Sequence, residues 1–122
     1  MLNFFERLKW RCIWSWEGVR DAWVHQNSFR SWVWANLVSA ALALYLPLDP
    51  AERALILALG VLVLAAEALN TAIEYTVDYI SLDRHPLAKR AKDAASAGVF
   101  LTAIAAGVAW LVILISLGTT LD

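Results

Sequence analysis

Glu67-Ala-Leu-Asn70-Thr-Ala-Ile-Glu74-Tyr-Thr-Val-Asp78 follows directly on a long apolar run, Ala54 to Ala66. On a helix, Asn70, Glu74 and Asp78 fall about 60°, 20° and 20° from Glu67, so the four share one narrow stripe. Three carboxylates and an amide thus line one face of a helix that otherwise suits a membrane. Ionisable groups at mid-bilayer cost roughly 2.5–3.5 kcal/mol each on the insertion scale. A cost repeated along one face points to function. The structural alternative is that the carboxylates are protonated or paired and only hold helices together.

The surrounding composition supports the membrane setting. The chain has 122 residues, of which 61% are hydrophobic and 17% charged. Its mean hydropathy of +0.58 is too high for a soluble domain of this size. One membrane domain, residues 1–122, accounts for the whole chain. A net charge of −1, with no basic field and no recognition motif, argues against nucleic acid as a partner. Cys12 is alone, so no intramolecular disulfide forms, and no Cys/His cluster offers a zinc site. The charged N-terminus lacks the pattern of a signal peptide.

Four helical segments follow from periodicity and breakers. Residues 3–27 form an amphipathic surface helix, with Phe5, Leu8, Cys12, Trp16, Val19 and Trp23 on one stripe. Its tryptophans suit a headgroup layer, although Gly18 weakens the helix. A first span covers 31–48, stopped by Pro47 and Pro50. A second helix covers 54–80, longer than the roughly 20 residues needed to cross hydrocarbon. A third, 86–117, starts with Pro86 in its first turn and contains the third span. Small residues such as Ala97, Gly98 and Gly107 suit close helix packing there. The expected fold is an all-α membrane protein: three transmembrane helices plus the surface helix.

Basic residues concentrate in residues 1–30 and 81–93, while the 49–53 turn holds one arginine and the C-terminal tail none. The positive-inside rule puts the N-terminus in the cytoplasm and the C-terminus outside. The acidic stripe then opens to the cytoplasm, on the side where ATP and Mg²⁺ are found. Glu74 and Asp78 lie at that interface, with Asn70 and Glu67 one to two turns deeper.

Carboxylates supply the hard oxygens Mg²⁺ prefers, usually one or two beside phosphate oxygens and water. A nearby lysine offsets charge on a transferring phosphoryl group, and such catalysis is mostly positioning and electrostatics. Glu67, the deepest, is best placed to act as general base towards a hydroxyl, and Glu74 as metal ligand. Lys92 and Asp93, at the start of the last helix, are candidates for the same cleft. Their structural alternatives are membrane anchoring for Lys92 and pairing with Lys89 or Arg90 for Asp93.

The pattern Glu67-x-Leu-Asn70-Thr-Ala-Ile-Glu74-x-x-Val-Asp78 resembles the signature of the prokaryotic diacylglycerol kinase family, which includes undecaprenol kinases. Ala91-Lys92-Asp93 with Ser96-Ala-Gly resembles its second block. Trp16-x-Gly18-x-Arg20-x-Ala-Trp23 and Phe29-Arg30 resemble its N-terminal region. The similarity runs from about Arg7 to Leu117. It implies a homotrimeric helical bundle in the bacterial inner membrane, with an ATP- and Mg²⁺-dependent site shared between subunits. By motif position it implies Glu67 as general base, Glu74 as metal ligand, and Asn70 and Lys92 as phosphate or metal contacts. It places Asp78 and Asp93 on the nucleotide side, and Arg7, Glu67 and Ser96 with the lipid substrate.

Two departures stand out. Gln26 occupies a position where the family usually has a metal-holding glutamate; its carbonyl still suits Mg²⁺ but brings no charge. Trp14 stands where some relatives have a tyrosine near the nucleotide; it suits stacking on adenine or anchoring at the interface. The favoured function is phosphorylation of diacylglycerol to phosphatidate, with undecaprenol as alternative acceptor. Two other classes stay open: a catalytically weakened paralogue, and a small proton-coupled transporter.

Overall fold

The computed structural model describes residues 1–121. It contains four α-helices: α1 (Phe4–His25), α2 (Asn27–Tyr45), α3 (Pro50–Ile80) and α4 (Pro86–Leu121). At 1.5 Å per residue, α3 and α4 are about 46 and 54 Å long, well beyond the ~30 Å of hydrocarbon.

Local chemistry sets the helix starts. Asn3 and Glu6 form a reciprocal capping box at α1, and Asp49 and Glu52 form another at α3. Pro50 sits at the first position of α3, where its missing N–H is not needed. Despite Gly18, α1 is unbroken. It ends at Gln26, an extended residue (φ −114°, ψ 107°) that is at once the C-cap of α1 and the N-cap of α2. Arg30 pins this elbow by donating to the carbonyls of Trp23 and Val24 at 2.6 and 3.0 Å. Those carbonyls belong to the last turn of α1 and have no partner within it.

α2 ends at Tyr45, three residues short of the predicted boundary at Leu48. Pro47 forces Leu46 into extended backbone (φ −72°, ψ 151°), which ends the helix early. Arg53 reaches back from α3 to cap that end. Its Nε donates to the Ala43 carbonyl at 2.8 Å, and a terminal nitrogen donates to the Leu46 and Leu48 carbonyls.

The apolar core gathers at this same end. Ala43, Leu48, Ile56, Ala109 and Ile113 form one buried cluster. Trp110 joins α4 to α2 by donating its indole N–H to Ser39 at 2.8 Å. α3 packs most extensively on α4 and next on α2, while α1 crosses α2 and α3 at the opposite end. Within the chain a close approach is found at Gly60. A side chain there would collide with Asn36 of α2, whereas Gly98 and Gly107 face open space.

Large apolar side chains cover the outside. Val61, Leu62, Leu69, Phe100, Leu101 and Leu111 are all exposed. α3 and α4 are long and apolar enough to cross a membrane, yet few of their residues are buried within the chain. A soluble core helix would be mostly buried. This is a membrane protein whose lipid-like surface is made by its two long helices.

Candidate active site

The buried seam of α3 changes character along its length. Ile56 and Val63 are buried near its start, and Glu67, Asn70 and Thr71 are buried further along. Ile56, Val63, Glu67 and Asn70 are spaced by seven, four and three residues, with Thr71 beside Asn70, so the packing face and the acidic stripe are one continuous face. Glu74 is half-buried and Asp78 exposed. The stripe therefore runs from an enclosed carboxylate to an open one.

Glu67 is only 3% exposed. Its carboxylate accepts a hydrogen bond from the Ser28 hydroxyl, in the first turn of α2. No acidic side chain occupies that turn of α2 itself, so the Glu67 carboxyl of α3 is the acidic group set against the start of α2. One turn above, Asn70 donates its amide to Glu74 Oε1 at 3.2 Å. Asn70 Oδ1 and Thr71 Oγ1 are buried with no hydrogen-bond partner among the described residues. An unmet buried acceptor costs about 1–3 kcal/mol and marks a place where a missing partner would bind.

Lys92 donates to Asp78 Oδ1 at 2.7 Å, tying α4 to the open end of the stripe. Beside them lies a cleft of about 700 Å³ lined by Asp78, Arg84, His85, Lys89, Lys92 and Asp93. It suits a ligand of nucleotide size. Asp93 pairs with Lys89 at 2.5 Å, the i, i+4 partner weighed from the sequence.

The structure thus brings together Glu67 with Ser28, Asn70 with Glu74, and Asp78 with Lys92. Of the remaining candidates, Asp93 lines the same cleft as Asp78 and Lys92, and the others make no hydrogen bond to these pairs. Gln26 donates to the Tyr75 hydroxyl at 3.2 Å, and no hydrogen bond links it to Glu74. Trp14 is exposed and stacks on Trp10 with ring centres 6.2 Å apart. Arg7 and Ser96 are exposed. Among the described residues, no three His, Cys, Asp or Glu side chains gather as a metal-binding group.

Ser28, Thr71, Tyr75 and Asp21 were missed from the sequence. Ser28 carried a faint signal as a small hydroxyl residue opening a helix. Tyr75 and Asp21 carried none, because their partners are 49 and 54 residues away.

These features define a helical membrane protein with a graded acidic site at one end of its longest contact seam. The family model described as prokaryotic diacylglycerol kinase matches residues 13–114. Over 110 residues, 90% of each chain, the sequence is 38% identical to the diacylglycerol kinase of Escherichia coli K12. It is 43% identical to that of Pseudomonas aeruginosa over 98 residues, 80% of each chain. It is 39% identical to that of Helicobacter pylori 26695 over 93 residues, 76% of this chain and 73% of that one. The chain belongs to the prokaryotic diacylglycerol kinase family, and is therefore an enzyme of a lipid kinase family. That membership sets the transporter reading aside.

Proposed function

We propose that the protein transfers the γ-phosphoryl group of ATP to the hydroxyl of diacylglycerol, giving phosphatidate, at the cytosolic face of the inner membrane. The observation that carries this reading is the depth gradient along α3. Glu67 is enclosed while Asp78 and Lys92 are open, a gradient that supports a lipid hydroxyl at the deep end and a nucleotide at the open end. The relatives named above are called diacylglycerol kinases, which favours that acceptor.

In the proposed reaction the lipid hydroxyl oxygen attacks the γ-phosphorus. A new O–P bond forms, the bond to the β-phosphate oxygen breaks, and ADP leaves. The hydroxyl proton passes to Glu67. That carboxylate already accepts from one alcohol, Ser28, so its geometry suits an alcohol donor. Lys92 orients phosphate oxygens and offsets their charge. Asp78 holds the lysine in place.

The residues also suit a divalent cation carried in with the nucleotide. Mg²⁺ asks for only one or two protein carboxylates beside phosphate and water. Glu74, half-buried, would hold it, with the unpartnered carbonyl oxygen of Asn70 and that of Gln26 as further ligands. Bound there, such an ion would neutralise charge on the phosphate oxygens.

The reading includes three spans, α2 being the first, with the N-terminus cytoplasmic and the C-terminus outside. It also includes a homotrimer with shared sites. Along α3, Asp78 is about 16 Å from Glu67, so the Lys92 that binds Asp78 stands far from Glu67 of its own chain. By motif position Glu67 and Lys92 belong to one site, which the reading assembles from neighbouring subunits. Arg7, Trp14, Asp93 and Ser96 remain assigned to lipid and nucleotide contacts by motif position.

The test is a labelled-ATP assay in mixed micelles that offers diacylglycerol and undecaprenol side by side. Label is expected in phosphatidate and to depend on Mg²⁺. Label in undecaprenyl phosphate alone would reassign the acceptor, and none in either would mark a weakened paralogue.

A further inference from the structure

Gln26 sits where a glutamate would offer a cation two equivalent oxygens. An amide offers one oxygen and one NH₂ group, and the NH₂ end repels a cation. A glutamine can ligate only if something sets which way it faces.

Two residues supply that constraint. The Tyr75 hydroxyl has one hydrogen, and it donates it to Asp21 Oδ2 at 3.0 Å. Hydrogen bonds to a carboxylate are the stronger kind, so this donation takes precedence. The phenol oxygen is then left as an acceptor only. Gln26 must meet it with Nε2, at 3.2 Å, which leaves Oε1 free.

Asp21 is itself held in place. His25 Nδ1, one turn along α1, lies 3.0 Å from Asp21 Oδ1 and 3.1 Å from the Asp21 backbone carbonyl oxygen. The Gln26 backbone is fixed too, with its N–H donating to the Ala22 carbonyl at 2.9 Å and its carbonyl accepting from Arg30 at 3.3 Å. The chain His25–Asp21–Tyr75–Gln26 thus closes over the α1–α2 elbow and fixes it to α3. Tyr75 remains 46% exposed, so these bonds are not explained by core packing.

We propose that Tyr75 and Asp21 are positioning residues that orient the Gln26 amide, keeping its carbonyl oxygen available as a hard ligand for a nucleotide-borne divalent cation. The proposal rests on the reading of Gln26 as a cation ligand given above. It assigns a role to two residues outside the acidic signature.

The test measures Mn²⁺ binding to the full chain in detergent, with a non-hydrolysable ATP analogue, by the electron paramagnetic resonance signal of free Mn²⁺. Tyr75→Phe removes the hydroxyl. Asp21→Ala frees that hydroxyl to donate to Gln26 and turn the amide over. Each is expected to weaken Mn²⁺ binding about threefold to tenfold, the worth of one hydrogen bond, towards the level of Gln26→Ala. Adding Gln26→Glu to Tyr75→Phe should restore affinity, because a carboxylate has no wrong face.

Wild-type binding in Tyr75→Phe and Asp21→Ala, with weakened binding in Gln26→Ala, would overturn the positioning role and leave the ligand role standing. Unchanged binding in Gln26→Ala would remove the ligand role, and the proposal with it. Weakened binding in Tyr75→Phe that Gln26→Glu fails to rescue would show a merely structural role and overturn the proposal.

Discussion

Glu67 and Ser28 carry the chemistry at the scale of single residues. A carboxylate this enclosed needs partners, and the described hydrogen bond to it comes from Ser28. Removing that hydroxyl by Ser28→Ala is expected to cost about 1–3 kcal/mol, the penalty for leaving a buried acceptor unmet. A drop in thermal midpoint in detergent would register it. Glu67→Gln acts in the opposite way. It keeps an oxygen for Ser28, so folding should persist, but it removes the proton acceptor, and turnover should fall at least about 100-fold. The four-residue stripe was legible because helical periodicity is a local property of the chain. The bonds from Ser28, Tyr75 and Asp21 were not, because they form only when distant segments meet.

Helix ends reveal how the elements are joined. The breakers Pro47, Pro50 and Pro86 were readable because proline acts on its own backbone and its immediate neighbour. Arg53 was not. It appeared only as the one basic residue of a short turn, yet it serves three carbonyls at the end of α2. Arg53→Ala should expose or strand those carbonyls and lower stability by about 1–3 kcal/mol. Thermal unfolding followed by circular dichroism would check this. Specific phosphoryl transfer by the protein that remains folded should be unchanged, since this end of the bundle lies opposite the acidic site. The small residues of α4 were legible only as an opportunity for close packing. Glycine reports that a close approach is possible, not which partner makes it, and within this chain that partner was found at Gly60.

For the whole molecule, the apolar exterior and the broken-up site belong together. Val61, Leu62, Phe100 and Leu101 leave α3 and α4 with surface for lipid or for further copies of the chain. Membrane character was legible in composition alone. Assembly was not, because composition does not distinguish a lipid-facing leucine from one that faces a subunit. Within one chain Lys92 binds Asp78, and the proposed shared site draws its Glu67 and its Lys92 from two different subunits. Mixing subunits tests this most directly. Glu67→Gln and Lys92→Ala chains, each inactive alone, are unfolded, combined in equal amounts, refolded together in micelles and assayed for transfer from labelled ATP to diacylglycerol. If one subunit supplies Glu67 and its neighbour Lys92, random assembly restores about one quarter of wild-type activity. A mixture as inactive as either parent would contradict the account.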